Sequence, residues 1–600
     1  MISRRLLVGA GVFATAVIVA VDLALGDAGW PSWMLTVLEI LAALPWAASV
    51  LGRPWVRGLP LSQRVPSTKA LSRAWVATAR LRAIALNGVF VVLLFGSLAL
   101  KLVLLASGGW DPASLSRLYR TYVAMAVFLA GLGWMGRGQR ALWFFGQVAE
   151  RPARMLPLSV LVVSTLGAFL LTTPFALTDP TRGSFVDALF DASGALCGAL
   201  AVSDVGRHYE AFGQVVILVL MQIGGFGIMV LSASVVILAR RRMEVRSSAR
   251  FAEVVDADNL ADLRATVFRI VVWTVVIEAL GAIALYFLFD VPGIDAAPGD
   301  PHPLAGGGGA LWSAVFHSVS AFCNAGFSLF RGNMAPFVAD PGVTVVIGAL
   351  IILGGLGFPV LSELGKRSVD FVARRPRKRL SLHARVVLFM TGGLIVAGAL
   401  SLALVEWRRS FATLPFGGKV LAAFFQSVTA RTAGFGSVDF AEMSAPGLLL
   451  MIALMFVGAG PGSTGGGIKI TTLAVLFATF RAEQTSAPAP TLFGREIPAT
   501  IQRKAIVVTF LSALLVSAGV FFLLLFEDVK PLHALFEITS AFGSVGCSTG
   551  AESRMGPIGK LVIVVTMMIG RVGPLTFALA AAGKPRPTTY RLPEERVLIG

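Results

Sequence analysis

Four short turns of small residues are the groups in this sequence that could do chemistry. Glycine allows main-chain conformations that bring carbonyl oxygens close to a ligand, and rings of such oxygens can replace the water shell of a monovalent cation. The chemistry implied is therefore ion coordination rather than bond cleavage. The candidate coordinating residues are Gly198, Ala199, Leu200, Asn324, Ala325, Gly326, Thr432, Ala433, Gly434, Ser544, Val545 and Gly546.

An internal repeat relates these turns to one another. Each turn follows a segment with the pattern Ala-apolar-Phe-polar, and these segments recur at spacings of roughly 110–125 residues, which indicates internal duplication. A glycine-bearing point in a longer apolar stretch follows each turn. Close helix packing is the alternative explanation for the glycines. The segments begin at Ala188, Ala314, Ala423 and Ala534, and the glycine-bearing points begin at Gly224, Gly354, Gly458 and Gly570.

Short helices must position the turns. Each apolar segment before a turn has about a dozen residues, too few to cross roughly 30 Å of hydrocarbon, so we predict a re-entrant half-helix. Irregular backbone at membrane depth is tolerated only where protein buries it or where it lines a water-filled path. The carboxyl-terminal end of a helix carries partial negative charge, so four such ends pointing at one place would favour a cation.

Composition places the chain in the membrane class. Of its 600 residues, 56% are hydrophobic and 14% are charged, and the mean hydropathy is +0.79; soluble domains lie far from these values. The net charge of +18 comes from basic residues in short loops, which indicates membrane topology rather than nucleic-acid binding. The loop distribution predicts a multi-pass protein of the cytoplasmic membrane with both termini cytoplasmic. The basic run 366–379 fits either this topology signal or a docking surface for an acidic partner.

The predicted fold is an all-α integral membrane protein with about twelve transmembrane helices. Four units, each with an outer helix, a half-helix and an inner helix, surround a central pore and follow an N-terminal block of four helices. The outer helices are predicted near 156–178, 266–289, 386–406 and 505–526, and the inner helices near 213–239, 342–364, 447–478 and 558–582. The corresponding regions are 1–155 for the N-terminal block, 156–250, 251–379, 380–490 and 491–600 for the four units, the last with a cytoplasmic tail.

Several polar residues lie near the turns without being able to coordinate an ion there. One residue near the start of each half-helix is polar, and we expect it to serve the outer rim or to form a hydrogen bond behind the turn. Arg431 is interpreted as a structural tether in preference to a conducting residue. Glu278, in an outer helix, is expected to bond to a neighbouring helix. The four half-helix residues are Asp191, His317, Gln426 and Glu537.

Five stretches resemble signatures of the Trk/Ktr/HKT superfamily of potassium-translocating subunits. The resemblance extends from about Pro157 to Ala582 and implies a pseudo-fourfold pore in one chain, with the twelve turn residues above as a selectivity filter for K⁺. It also implies a homodimer and a separate cytosolic nucleotide-binding subunit of the TrkA/KtrA type, so this chain itself would bind no cofactor. The stretches are Gln222–Ile228, Thr429–Phe435, Pro461–Lys469, Ser540–Gly546 and Ile569–Leu575.

A glycine-rich break in the third inner helix is similar to the intramembrane loop that closes the pore in this superfamily. Glycine runs propagate a helix poorly, so this loop is the expected mobile element, although a simple kink would also explain it. Arg571 lies at membrane depth, where an ionisable residue suggests a functional role; the resemblance makes it a barrier below the filter, and a packed arginine paired with a carbonyl or an acid is the alternative. The other candidate gate residues are Gly458, Gly460, Gly462, Ser463, Thr464, Gly465, Gly466 and Lys469.

The first turn departs from the superfamily pattern. Aligned on Phe190 without gaps, the filter glycine falls on Leu200, whereas one local gap would supply Gly198. A non-selective or Na⁺-conducting protein, or a non-conducting scaffold derived from a pore, are therefore alternatives to potassium uptake. An enzyme is not expected, because an intramembrane enzyme needs a nucleophile with a base or paired acids at one site, and none of the histidines shares a helix with such a partner.

Overall fold

The computed structural model describes residues 152–179, 183–239, 260–289, 307–375 and 379–581. The predicted N-terminal four-helix block and the cytoplasmic tail lie outside these residues. Within them the chain is mostly helical, and the one small sheet is a two-stranded hairpin of β1 (Thr491–Leu492) and β2 (Arg495–Glu496). The helices, numbered in chain order, are α1 Pro152–Leu171, α2 Phe185–Cys197, α3 Val205–His208, α4 Ala211–Ala239, α5 Leu260–Phe289, α6 Gly307–Phe322, α7 Pro341–Leu356, α8 Phe358–Val372, α9 Leu382–Glu406, α10 Phe416–Thr429, α11 Ala445–Phe456, α12 Ile470–Gln484, α13 Ala499–Phe526, α14 Pro531–Gly543, α15 Pro557–Val572 and α16 Pro574–Ala581.

Four short helices, α2, α6, α10 and α14, alternate with longer ones. They have 13, 16, 14 and 13 residues, which fits the half-helices predicted from the sequence. Among the described residues, three helical segments are long and apolar enough to cross a bilayer, and a bent pair makes a possible fourth. The predicted total of about twelve transmembrane helices remains a prediction. The three segments are Phe268–Phe289, Leu382–Glu406 and Ala499–Phe526.

Two inner helices that we predicted as continuous are broken. The stretch 342–364 is bent by 109° between α7 and α8. At the bend Gly357 has a φ of 90°, a backbone conformation that residues with a Cβ rarely adopt. The stretch 558–582 is interrupted in the same way at Gly573, also with a φ of 90°. A proline follows each site closely: Pro574 is adjacent to Gly573, and Pro359 lies two residues after Gly357. Proline cannot donate the main-chain bond that would continue the preceding turn.

Glycine permits the short helices to lie against the inner helices. A Cβ atom at Gly224 would overlap the carbonyl oxygen of Leu196, at the end of α2. The same relation holds between Gly354 and the Phe322 carbonyl and between Gly570 and the Phe542 carbonyl. Close approach of this kind is how helices pack in membranes, where lipid provides no hydrophobic force between them. These glycines therefore set the depth at which three of the four short helices end.

The first and last units pack against each other. Phe190 and Leu196 of α2 share one buried apolar cluster with Phe542 of α14 and Met567 of α15. An ion pair reinforces this seam, with Lys560 Nζ of α15 lying 2.5 Å from Asp187 Oδ1 of α2. The Lys560 side chain is 11% exposed, so water screens the pair less than it would at a surface.

We expect Gly354→Ala to lower the thermal unfolding midpoint of the protein in detergent. The new methyl group would overlap the main-chain oxygen of Phe322, and overpacking of this kind costs about 1–3 kcal/mol. Gly392→Ala is the matched control, because a Cβ at Gly392 in α9 meets no atom within 4 Å. Equal midpoints for the two variants would contradict the packing role of Gly354.

Candidate functional site

The four predicted turns share a backbone conformation at the ends of α2, α6, α10 and α14. The main-chain N–H of the middle residue bonds back to a carbonyl of the preceding short helix, for example from Ala325 to Ser320 at 2.8 Å and from Val545 to Ser540 at 2.9 Å. The first residue of every turn has a positive φ, at Gly198 (64°), Asn324 (53°), Thr432 (72°) and Ser544 (52°).

The third residue of the turn differs between the first unit and the other three. Gly326, Gly434 and Gly546 have φ values of 75°, 78° and 95°. Leu200 holds the same place, two residues after Gly198, and does not adopt a positive φ, since a side chain disfavours that region. Gly198 therefore corresponds to the first residue of the other turns, and Leu200 to the third.

The four turns contact one another in chain order and close a ring. A Cβ at Gly198 would lie 2.7 Å from the Asn324 oxygen, and a Cβ at Gly326 would lie 2.5 Å from the Ala433 oxygen. A Cβ at Gly434 would overlap the Val545 oxygen, and one at Gly546 would lie 3.2 Å from the Ala199 oxygen. Main chain thus meets main chain at every junction, which leaves carbonyl groups as the dominant polar atoms of the ring.

An open cavity of about 1110 Å³ leads to the ring from one side. One residue from each turn faces it, and acidic residues outnumber basic ones around its wall, which favours cations in the cavity over anions. The turn residues are Ala199, Gly326, Gly434 and Gly546, and the charged residues of the wall are Asp204, Asp439, Glu527, Asp528, Glu552, Lys530 and Arg554.

One polar side chain of each short helix holds the segment that follows its turn. Asp191 Oδ1 accepts from the Val202 N–H at 2.8 Å, and its Oδ2 accepts from the Tyr209 hydroxyl at 2.8 Å. Glu537 Oε1 accepts from the Thr549 N–H at 2.8 Å. The two remaining contacts join His317 Nε2 to Ser328 Oγ at 2.9 Å and Gln426 Nε2 to Ser437 Oγ at 3.0 Å.

These four side chains are fully buried. We expected them either to lie at the outer rim or to form a hydrogen bond behind the turn, and their burial agrees with the hydrogen bond. Each of them fixes a residue that lies 11 or 12 positions further along the chain. Because an unpaired buried polar group costs about 1–3 kcal/mol, each contact favours one path for the segment leaving its turn.

The loop between α11 and α12 lies against the same ring. A Cβ at Gly465 would overlap the Thr432 hydroxyl, and one at Gly466 would overlap the Ser544 hydroxyl. The loop also pairs with the bent inner helix: the Gly460 N–H donates to the Gly355 oxygen at 2.9 Å, and the Phe358 N–H donates to the Gly462 oxygen at 3.0 Å. The break in α7–α8 at Gly357 therefore receives main-chain partners from the loop.

Two basic side chains are fixed at this loop. Arg571 donates from Nη1 to the Thr464 carbonyl and from Nη2 to the Gly224 carbonyl, so it joins the loop to α4. Lys469 Nζ donates to the Gly465 carbonyl at 2.6 Å. Within the described ranges no carboxylate forms a salt bridge with either group. Carbonyl pairing, which we gave as the alternative for Arg571, is present and is compatible with a barrier.

The other candidate gate residues fall in the same loop. Gly458 donates its N–H to the Ile468 carbonyl at 2.8 Å, and the Thr464 hydroxyl donates to the Phe322 carbonyl at 3.4 Å. Ser463 Oγ accepts from the Gly465 N–H at 3.3 Å. The predicted residues of this group are thus brought together, in contact with three of the four units.

Arg431 and Glu278 contact the protein as we expected. Arg431 Nη1 donates to the Thr391 carbonyl of outer helix α9 at 2.9 Å, which is a tether rather than a position on the ring. Glu278 Oε2 accepts from Gln222 Nε2 of α4 at 3.2 Å, and Cys323 Sγ lies 3.6 Å from its Oε1.

Three residues around the site were not identified from the sequence. Lys560 and its partner Asp187 are 373 positions apart, and no local pattern connects them. Gly194, inside α2, adjoins the Leu200 carbonyl; a glycine in the middle of a predicted helix was a signal that could have drawn attention to it.

Comparison with known proteins agrees with this geometry. The family profile TrkH, described as "Cation transport protein", matches residues 141–590. The Ktr system potassium uptake protein B of Vibrio alginolyticus is 36% identical over 450 residues, which cover 74% of this chain and 94% of that protein. The potassium/sodium uptake protein NtpJ of Enterococcus hirae is 32% identical and covers 75% of this chain and 97% of that protein.

A solved structure has the same fold. The crystal structure of the potassium transporter TrkH from Vibrio parahaemolyticus superposes with a TM-score of 0.56 at 18% identity, covering 84% of this chain and 98% of that one. These relatives are named as transport or uptake proteins, not enzymes, and with its apolar helices this chain is a multi-pass membrane protein. The chain belongs to the TrkH family of cation transport proteins.

Proposed function

We propose that this chain takes up potassium through a central pore formed by four pseudo-fourfold-related units. The observation that carries the proposal is the closed ring of four turns, which has main chain at every junction and an acid-rich cavity on one side. Carbonyl oxygens arranged in a ring can replace the water shell of a cation. The names of the relatives support K⁺ as the ion, and one of them names sodium as well.

The half-helices enter this pore from the outside. Their carboxyl-terminal ends then point at the ring, where their partial negative charge favours a cation. The basic residues of the described inner-helix ends and loops, such as Lys366, Arg367 and Arg374, would lie on the cytoplasmic side, as the charge rule for short loops requires. Both termini are cytoplasmic in this arrangement.

The loop 457–469 and Arg571 form the gate of the proposed pore. The loop touches the turns of the third and fourth units, and Arg571 fixes it to α4 of the first unit. A positive charge at this depth would also oppose a passing cation. In this proposal the pore is closed in the present conformation, and the arginine acts both as a barrier and as a latch.

The complete transporter is a homodimer regulated by a separate cytosolic subunit of the TrkA/KtrA type that binds nucleotide. The basic run at the end of α8, which includes Lys366, Arg367, Arg374 and Arg375, is the docking surface that this proposal favours, because it faces the cytoplasm and would suit an acidic partner. In this scheme the present chain binds only the transported ion.

Sodium conduction is the second candidate function. It is favoured by Leu200, which stands where the other three turns have glycine. One turn would then present its carbonyls differently, and the ion would retain part of its water shell.

Purified protein in liposomes should conduct K⁺, with a smaller Na⁺ flux. The measurement is uptake of each ion driven by its own gradient, with protein-free liposomes as the control. Sodium flux equal to or above potassium flux would favour the second candidate. If neither the folded wild type nor folded Arg571→Ala conducts either ion, the result would contradict a transport function and support a non-conducting scaffold.

We expect Arg571→Ala to increase cation flux, because it removes both a fixed charge and the two bonds to Thr464 and Gly224. Unit charges about 4 Å apart repel by roughly 4 kcal/mol at an effective dielectric of 20, so even partial relief would raise the rate severalfold.

Arg571→Lys separates the two effects, since lysine keeps the charge but cannot bond two separate carbonyls in the same planar geometry. Flux near wild type in Arg571→Lys would identify the charge as the barrier, and flux near Arg571→Ala would identify the latch. Unchanged flux in folded Arg571→Ala would rule out both roles.

A further inference from the structure

One position of each short helix supports the turn that follows it. Its carbonyl accepts the N–H of the middle residue of the turn, and in three units its side chain carries a hydroxyl. Ser320 Oγ donates to the Phe327 carbonyl at 2.7 Å, and Ser540 Oγ accepts the Gly546 N–H at 3.2 Å. The four residues at this position are Gly194, Ser320, Thr429 and Ser540.

In the first unit this position is Gly194, and a carbonyl fills the space of the missing side chain. A Cβ at Gly194 would overlap the carbonyl oxygen of Leu200 and would lie 3.0 Å from its carbonyl carbon. The Leu200 carbonyl is therefore turned back onto its own short helix. The Leu200 side chain is fully buried in the apolar cluster between the first and last units, which anchors the residue in this orientation.

The other three turns differ from the first at their third residue. Their third residues are glycines with positive φ, and a Cβ on any of these glycines would meet the main chain of a neighbouring turn. Those residues thus lie in the ring itself. The departure of the first turn consequently has two parts, the leucine and the glycine that accommodates its carbonyl.

We propose that Gly194 is a specificity-determining positioning residue, which withdraws the Leu200 carbonyl from the ion path by giving it space beside α2. This inference rests on the proposed transport function. The ring then offers the ion three complete turns and one incomplete turn, and the ion keeps part of its hydration on the incomplete side. Discrimination between K⁺ and Na⁺, which depends on the number of coordinating carbonyls, is reduced accordingly.

The structure specifies the pair of substitutions that would rebuild the first turn in the pattern of the fourth. Leu200→Gly permits a positive φ, and Gly194→Ser both supplies the hydroxyl and removes the space that the Leu200 carbonyl uses. Gly194→Ser alone would force the Leu200 carbonyl away from α2, but the leucine side chain would still disfavour a positive φ. Leu200→Gly alone would permit a positive φ but would leave the space beside Gly194 open to the carbonyl.

The test is a double-mutant cycle with K⁺ and Na⁺ flux measured for the wild type, both single variants and the double variant. We expect the K⁺ over Na⁺ flux ratio to rise by about fivefold in the double variant, the factor that one net polar interaction supplies, and by less in Leu200→Gly. The gain of the double variant should exceed the product of the two single effects, because the substitutions act on one carbonyl. A ratio equal to that of the wild type in both Leu200→Gly and the double variant would overturn the proposal.

Two controls separate this effect from general disturbance. Ala195→Ser adds a hydroxyl at the next position of α2, where the side chain packs in a different apolar cluster, and should leave the ratio unchanged. Leu200→Ala removes most of the same bulk without favouring a positive φ, and should raise the ratio by less than Leu200→Gly. If Gly194→Ser does not fold, a larger rise in the ratio for Leu200→Gly than for Leu200→Ala still supports the proposal, and equal ratios for the two contradict it.

A second readout distinguishes failure of this inference from failure of the proposed function. Bound ion raises the thermal unfolding midpoint according to its affinity, so the midpoint difference between K⁺ and Na⁺ buffers should widen in the double variant. Wild-type protein that conducts both ions, with no change of ratio or midpoint among the variants, overturns the inference alone. Wild-type protein that neither conducts nor responds to K⁺ overturns the proposed function and the inference with it.

Discussion

The arrangement of the ring depends on main chain packing directly on main chain. Three inner-helix glycines, Gly224, Gly354 and Gly570, admit the carbonyl at the end of a short helix, and the turns then meet one another through glycines of their own. In a bilayer there is no water to satisfy a polar group that is left unpaired. Each irregular stretch of backbone must therefore find its hydrogen-bond partners inside the protein. The ring, the loop below it and the broken inner helices supply such partners to one another.

The basic groups at membrane depth follow the same constraint. Arg571 is bonded to two main-chain carbonyls that belong to different units, and both of these carbonyls lie where helices are packed by glycine or interrupted. The loop thus supplies one acceptor for the arginine and helix α4 supplies the other, so the arginine joins the two. Arg431 is bonded to one carbonyl, that of Thr391 in outer helix α9. These carbonyl acceptors offset part of the cost of burying each charge.

Sequence reasoning predicted the parts of the fold that depend on local pattern. The four short helices and their turns were predictable because the apolar segments are too short to cross a bilayer and end in small residues. The break before Ile470 was also predictable, since a run of glycines cannot continue a helix. The bends at Gly357 and Gly573 were not predicted, because glycine and proline are tolerated within continuous transmembrane helices, and the break shows only in the positive φ of the two glycines.

The candidate site was predictable to a similar extent. The position of Leu200 remained open until the φ values of Gly198 and its counterparts became visible. The partners of Asp191 and Glu537, and the carbonyl beside Gly194, depend on tertiary contacts that no spacing rule specifies. Membership in the family and transport of cations agree with the resemblance seen in the sequence. The filter, the gate, the dimer and the regulatory partner stay predictions.

The ion pair between Lys560 and Asp187 has a consequence for the order in which the protein is made. It joins positions that are 373 residues apart, and the apolar cluster around it likewise combines α2 with α14 and α15. Since chains emerge from the ribosome with the N-terminal part first, α2 and its turn are inserted long before their partners exist. The circle of turns stays open on one side until α14 and α15 arrive, so a nascent chain in the membrane cannot hold a complete ring until synthesis is almost finished.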